Sequence, residues 1–135
     1  MNDRLEKSSL SADNADSSQP TGTAALSFDL NTEVQRLRSE DAWKRGRNSK
    51  TLVKYADFRV VLTVLKSGER LPDHKTPGRI SIQTCSGHLR TKAAGAVFDL
   101  PAGRLLALDR EVVHDVEALE DSAFLLTIAL PENHS

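Results

Sequence analysis

Between residues 51 and 129 the chain is a succession of short, apolar-rich runs broken at glycine and acidic turns, and this punctuation constrains its fold more than any other feature. The run 51–66 puts Phe58, Val60, Leu62 and Val64 on one face of an extended strand and Arg59, Val61, Thr63 and Leu65 on the other. A strand apolar on much of both faces has to be covered on both. Four further runs follow at 79–86, 88–92, 96–100 and 104–109, separated by Gly87, by Gly95 and by Pro101-Ala102-Gly103. Two more, 112–118 and 123–129, are parted by Glu120-Asp121. About seven short strands at such turn intervals predict an all-β sandwich or barrel. Only 4% of residues are aromatic, so the core must be built mainly from aliphatic side chains.

At 135 residues the chain accommodates one domain rather than two. Its net charge of -1 is spread evenly along the sequence, which is not the footprint of a nucleic-acid binder. The single cysteine, Cys85, has no partner for an internal disulfide, and no apolar run approaches the roughly 18 residues of a membrane span. A soluble, cytoplasmic protein without nucleic-acid or membrane partners is the expectation.

The N-terminal third is organised differently. Residues 1–27 are rich in Ser, Asp, Asn, Ala and Thr with no repeating apolar position, which predicts a disordered tail. Within 28–49, Leu30, Val34 and Leu37 fall on one helical stripe, with Asp29 or Asn31 available as N-cap. This predicts one short helix packed outside the main body. Lys44, Arg45, Arg47 and Lys50, interrupted by Gly46 and Asn48, then read as a basic, solvated linker to a domain spanning 50–131.

Two spaced blocks within that domain carry a resemblance. Gly68-Glu-Arg-Leu-Pro-Asp-His74, closing on Gly87, is similar to the first signature block of the small, RmlC-like cupins. Pro101-Ala-Gly103-Arg-Leu-Leu-Ala-Leu-Asp109-Arg-Glu111-Val-Val-His114 resembles the second. The resemblance implies a double-sheet jelly-roll barrel whose blocks flank an internal pocket, with the first block supplying two histidines and a glutamate to a metal and the second supplying one more histidine. This chain departs from that pattern. With His74 as the first histidine, Thr76 and Ile80 occupy the next two ligand positions; with His74 as the second, Pro72 occupies the first. The second block carries Asp109 and Glu111 where the family has Pro and Gly. The first metal motif is therefore degenerate, leaving His74 and His114 as metal ligands for Fe, Mn, Ni or Zn, with Asp73, Glu69, Gln83, Asp109 or water left to complete a shell.

The expected ligand pocket comprises His74, Thr76, Ile80, Gln83 and His114. His114 shares a strand face with Val112, Val116 and Ala118 and should point inward, whereas His74 lies in a loop between Pro72 and Pro77. His88 and His134 are expected at the surface. Cys85 is three residues from His88, which places the two on opposite strand faces, so an ordinary buried strand residue is expected in place of a nucleophile. Arg79 and Arg90 alternate with inward apolar neighbours and should face solvent. The functional expectation is a cupin-domain protein binding a small molecule. The alternative is a metal-dependent enzyme, such as a dioxygenase or isomerase, using His74 and His114. The apolar run 51–66, taken as a sheet edge, predicts a homodimer.

Overall fold

A computed structural model describes residues 24–131, and within them two antiparallel sheets face each other with a short helical segment against the outside of one. The helical segment begins where the apolar stripe does. Asp29 caps α1 (Leu30–Ser39) by accepting from the Thr32 amide at 3.2 Å, and Glu40, in extended conformation, ends it before the single turn of α2 (Asp41–Lys44). The stripe of Leu30, Val34 and Leu37 packs with Phe28 and Trp43 onto Leu52, Leu62, Val64 and Ala123 of the adjoining sheet. Full burial of Leu37 alone is worth about 2 kcal/mol. Polar contacts fix the helix in place. Lys50 reaches the buried Glu33 carboxylate at 3.1 Å, and the Asn48 amide donates to the Leu37 carbonyl at 3.0 Å and to Glu40 Oε1 at 2.8 Å.

The five-stranded sheet runs β1 (Arg47–Lys54), β2 (Phe58–Leu65), β9 (Ser122–Ala129), β4 (Arg79–Ser86), β7 (Leu105–Leu108). The four-stranded sheet runs β3 (Arg70–His74), β8 (His114–Ala118), β5 (His88–Ala93), β6 (Ala96–Pro101). Between the sheets lies the main core, in which Leu65, Ile80, Ile82, Leu106, Leu108 and Phe124 from one side meet Leu89, Leu100, Val116 and Ala118 from the other. The double coverage expected for the run 51–66 is borne out in β2: Leu62 and Val64 pack under α1 while Leu65 enters the main core. The Thr84 hydroxyl donates to the Leu100 carbonyl across the sheets at 2.9 Å. No continuous ring of strand pairing closes the two sheets into a barrel, so the architecture is an open jelly-roll sandwich.

Three expectations about the strands are corrected. The run 51–66 is not one strand but parts of a hairpin, turning at Tyr55–Asp57, with β1 reaching back to Arg47. The basic linker is thus partly a strand, and its polar residues suit an edge whose Asn48 and Lys50 serve the helix. It follows that the apolar strand β2 is interior to its sheet, and the edge argument for a homodimer does not hold. Residues 70–74, expected as loop because of Pro72, form β3. Proline is tolerated there because β3 is an edge strand. The tail expected over 1–27 and His134 lie outside the described residues, apart from 24–27, which carry no helix or strand.

Candidate functional site

The two histidines meet because of one extra residue. In the β3–β8 ladder Leu71 pairs with Val116, and the next recorded pair is His74 with His114, so three residues of β3 advance against two of β8. This β-bulge over Pro72 and Asp73 compensates for strand alternation: without it, Leu71 and His74 would face opposite sides. With it, both face inward and His74 stands directly across from His114. Their ring centroids are 4.3 Å apart at an interplanar angle of 56°.

Both imidazoles are held by the backbone two residues upstream. His114 Nδ1 lies 3.0 Å from the Val112 carbonyl oxygen, and His74 Nδ1 lies 3.0 Å from that of Pro72. A carbonyl can only accept, so each Nδ1 carries a hydrogen, and of the two tautomers this is the one that leaves Nε2 as the acceptor. His114 is 3% exposed, whereas His74 is exposed. On the far side of His114 the ladder places Ala93, whose small side chain leaves the ring uncrowded. Inward residues at the opposite end of the sandwich, such as Leu65 and Leu89, are wholly buried, while Leu71, Phe98, Val112 and Ile128 are only partly so. The pair therefore sits at a partly open, apolar mouth.

Of the other expected pocket residues, Ile80 is a core residue of β4 and Thr76 is half-buried in the following loop, its hydroxyl donating to the Gly78 carbonyl at 2.9 Å. Gln83 is corrected: it lies on the outer face of β4, exposed, opposite Leu125 and Leu105. The error came from counting along the motif without fixing strand parity, since Ile80 and Ile82 are the inward residues.

A first-row metal of the kind the resemblance implies does not fit this donor set. Asp73 points outward to Arg70 at 3.1 Å, Glu69 pairs with Arg47 at 3.7 Å and Asp109 with Arg79 at 2.9 Å. Among the described residues no third His, Cys, Asp or Glu joins His74 and His114. The polar group that sequence reasoning missed is Thr91. It is fully buried on the inward face of β5, and its hydroxyl has no hydrogen-bond partner. The alternation Leu89, Thr91, Ala93 was the signal that would have placed it inside.

The turn before His114 departs from a glycine pattern at a measurable cost. Glu111 adopts φ 62, and its amide donates to the Thr76 carbonyl at 2.9 Å, tying the two blocks together. A left-handed non-glycine residue costs about 1 kcal/mol, so Glu111→Gly should raise unfolding stability by roughly 0.5 kcal/mol after glycine's greater unfolded-state entropy. Urea denaturation measures this; a loss of stability would show instead that the exposed Lys75–Glu111 pair at 3.8 Å matters more than the strain.

Cys85 is exposed and not buried, because it shares the outer face of β4 with Gln83. Desolvation nevertheless raises its thiol above the ordinary value, only partly offset by a hydrogen bond with the Leu125 backbone. It is protonated at neutral pH, a poor nucleophile. The Asp109 carboxyl is held low by the Arg110 amide first and then by Arg79, so it stays ionised and is no general acid at neutral pH. His88 is half-buried at the start of β5 with Nε2 2.6 Å from Asp99, rather than free at the surface. Arg79 and Arg90 face outward as expected, paired with Asp109 and Glu117. An open concavity of about 390 Å³ on the outer side of the four-stranded sheet is lined by Arg70, Asp73, Lys92, Val97 and Val113, with Arg70 already committed to two carboxylates.

The two-sheet fold matches known structures. A cupin superfamily protein from Desulfitobacterium hafniense superposes with a TM-score of 0.61 at 14% identity over 63% of this chain and 78% of that one. The fold is that of a cupin. A conserved protein of unknown function from Streptococcus pyogenes shares it at a TM-score of 0.66 and 22% identity, over 89% of this chain and all of the other. So does a salicylate 1,2-dioxygenase from Pseudoaminobacter salicylatoxidans, at 0.68 and 12% identity over 76% of this chain and 32% of that one. No protein-family model matches the chain, and no curated protein matches its sequence. Among the described residues no helix is long and apolar enough to cross a membrane. Cupin-fold neighbours include both an enzyme and proteins without assigned activity, so the likeness carries the fold and leaves the chemistry to the site.

Proposed function

We propose that this protein binds an uncharged or weakly polar small molecule at the His74–His114 mouth, without depending on a metal. The observation that carries the reading is the bulge-set imidazole pair, each Nδ1 tied to a backbone carbonyl, with the partly buried Leu71 and Val112 of the same segments packed against the apolar core. Apolar lining with a few convergent polar groups is the ordinary composition of a ligand site. In the tautomer that carries the hydrogen on Nδ1, each Nε2 can accept from a ligand hydroxyl or amide, and the unpaired Thr91 hydroxyl lies deeper on the same inward face. The inward side chains of β3, β8 and β5 include no lysine or arginine, which disfavours a carboxylate or phosphate ligand.

A thermal-shift screen of neutral hydroxylated and amide compounds tests this with wild type and His114→Phe side by side. Compounds that raise the wild-type midpoint by several degrees should lose most of that shift in the variant. If every hit stabilises both proteins equally, the mouth is not the site. The metal-dependent enzyme, a dioxygenase or isomerase, is the second reading, favoured by the histidine pair itself. Stoichiometric Fe, Mn, Ni or Zn in untagged protein, lost in a His74→Ala, His114→Ala double variant, would establish it over the first.

A further inference from the structure

Trp43, the single tryptophan of the chain, carries two cations on its indole. Arg38 Cζ and Lys66 Nζ each lie 5.1 Å from the ring centroid, within reach of a cation–π contact. All three residues are half-buried, and Arg38 Nε is screened from water without a hydrogen-bond partner. Three elements converge to make this arrangement. Arg38 comes from the last turn of α1, Trp43 from α2, and Lys66 from the position after β2, where its amide donates to the Gly46 carbonyl at 2.8 Å. The indole is itself anchored, packed against the apolar cluster of Leu37, Leu52 and Leu62. The acids that could neutralise the two cations are engaged elsewhere. Glu33 holds Lys50 and Arg36, Glu40 accepts from Asn48, Asp41 pairs with Lys44 and Glu69 with Arg47. Among the described residues neither Arg38 nor Lys66 has an ion-pair partner, and Arg45, closing α2, adds a third unpaired cation.

The carbonyl end of α1 favours a cation at Arg38, which accounts for one of the charges and leaves Lys66 and the orphaned Nε–H unexplained. The ring quadrupole attracts each cation but does not cancel their mutual repulsion, and partial burial strengthens that repulsion by lowering the local dielectric. A buried guanidinium N–H without an acceptor carries a further cost. One kind of group relieves both, an oxyanion that accepts from Arg38 Nε and neutralises Lys66. We propose that the Arg38–Trp43–Lys66 cluster is a binding site for a phosphate dianion, free or as the phosphomonoester of a small molecule. Guanidinium N–H groups match phosphate oxygens in geometry and form the stronger, charge-assisted class of hydrogen bond, while an ammonium acts beside them as a point charge. The cluster lies at the end of the sandwich where Gly68 meets Ala118, away from the His74–His114 mouth, and does not rest on the ligand proposed there.

Because Trp43 is the only indole, its fluorescence in the full chain reads the site directly. Inorganic phosphate and glycerol phosphate are titrated against sodium chloride at matched ionic strength, with Arg38→Gln and Lys66→Gln as variants. Both phosphates should change the emission saturably, half-complete near about 1 mM for a site partly open to water, and the tighter of the two tells whether the source is the free ion or an ester. Each variant should weaken binding by roughly tenfold or more. In low-salt buffer without phosphate, Lys66→Gln should melt no lower than wild type, because one of two repelling charges is gone. A response that chloride reproduces is screening alone and overturns the proposal, as does phosphate binding that both variants retain. A Lys66→Gln protein melting several degrees below wild type in that buffer would overturn it too, since the cation would then be a structural cover for the indole.

Discussion

Replacing Gly87 by alanine is expected to cost roughly 2–5 kcal/mol of unfolding free energy, the sum of a backbone penalty near 1–2 and an overpacking penalty of 1–3. Gly87 carries the chain from β4 in one sheet to β5 in the other at φ 81. A Cβ there would meet the Asp121 carbonyl oxygen and Ser122 Oγ, at 2.3 and 2.4 Å, both far inside contact distance. The obstacle cannot swing away. Asp121 presents backbone, and Ser122 Oγ accepts from the His88 amide at 2.9 Å and donates to the Glu120 carbonyl at 2.7 Å. Gly95 supplies an internal control: it too has positive φ, 75, but nothing within 4 Å of an added Cβ, so Gly95→Ala should cost only about 1 kcal/mol. At roughly 4–8 °C per kcal/mol for a domain near 100 residues, Gly87→Ala should lower the thermal midpoint by at least about 8 °C, and by more than twice as much at the middle of its range, and Gly95→Ala by about 4–8 °C. Equal losses at the two sites would show that the close approach at Gly87 relaxes without consequence.

Gly87 was legible in the sequence as a block boundary, and so was much of the fold, because alternation and turn chemistry are local properties. The strands 79–86, 88–92, 96–100 and 123–129 coincide with β4, β5, β6 and β9 to within a residue. What was not legible depends on pairing. The start of β1 at Arg47 has no apolar alternation of its own; its residues make sense only once α1 lies above it and β2 beside it. β3 was hidden by Pro72, whose missing amide is harmless only at a sheet edge, and nothing in the sequence says which strand is an edge. The candidate site shows the same division. His114 was placed by parity within its own strand, but the inward aim of His74 depends on the bulge at Pro72–Asp73, a property of the ladder with β8. Gln83 was misplaced because motif spacing counts residues without fixing which face they occupy.

The second large effect belongs to Asp115, which neighbours His114 on β8 and points to the opposite, outward side, yet is only 2% exposed. Its Oδ2 accepts from Arg70 Nε at 3.0 Å and lies 3.0 Å from Arg70 Nη2 in the same ion pair, and its Oδ1 accepts from the Lys92 amide at 2.8 Å. One carboxylate thereby joins β3, β8 and β5, the three strands that set the histidine pair. Asp115→Ala strands the Lys92 amide, at about 1–3 kcal/mol for a buried donor, and removes charge-assisted bonds from Arg70. Arg70 is about half exposed and can rehydrate, so its share is discounted, and the expected total is about 2–4 kcal/mol. Asp115→Asn keeps the acceptor for Lys92 and should cost about half as much. The functional consequence follows from the edge position of β3, whose side-chain tie to β8 is this ion pair. In the alanine variant His74 should lose its fixed stacking on His114, seen as collapse of the two imidazole resonances towards free-histidine shifts, while the core of the five-stranded sheet keeps its amide protection. A denaturation midpoint within about 0.5 kcal/mol of wild type, typical of surface substitutions, would mean that backbone pairing alone holds β3 and that Asp115 does not position the site.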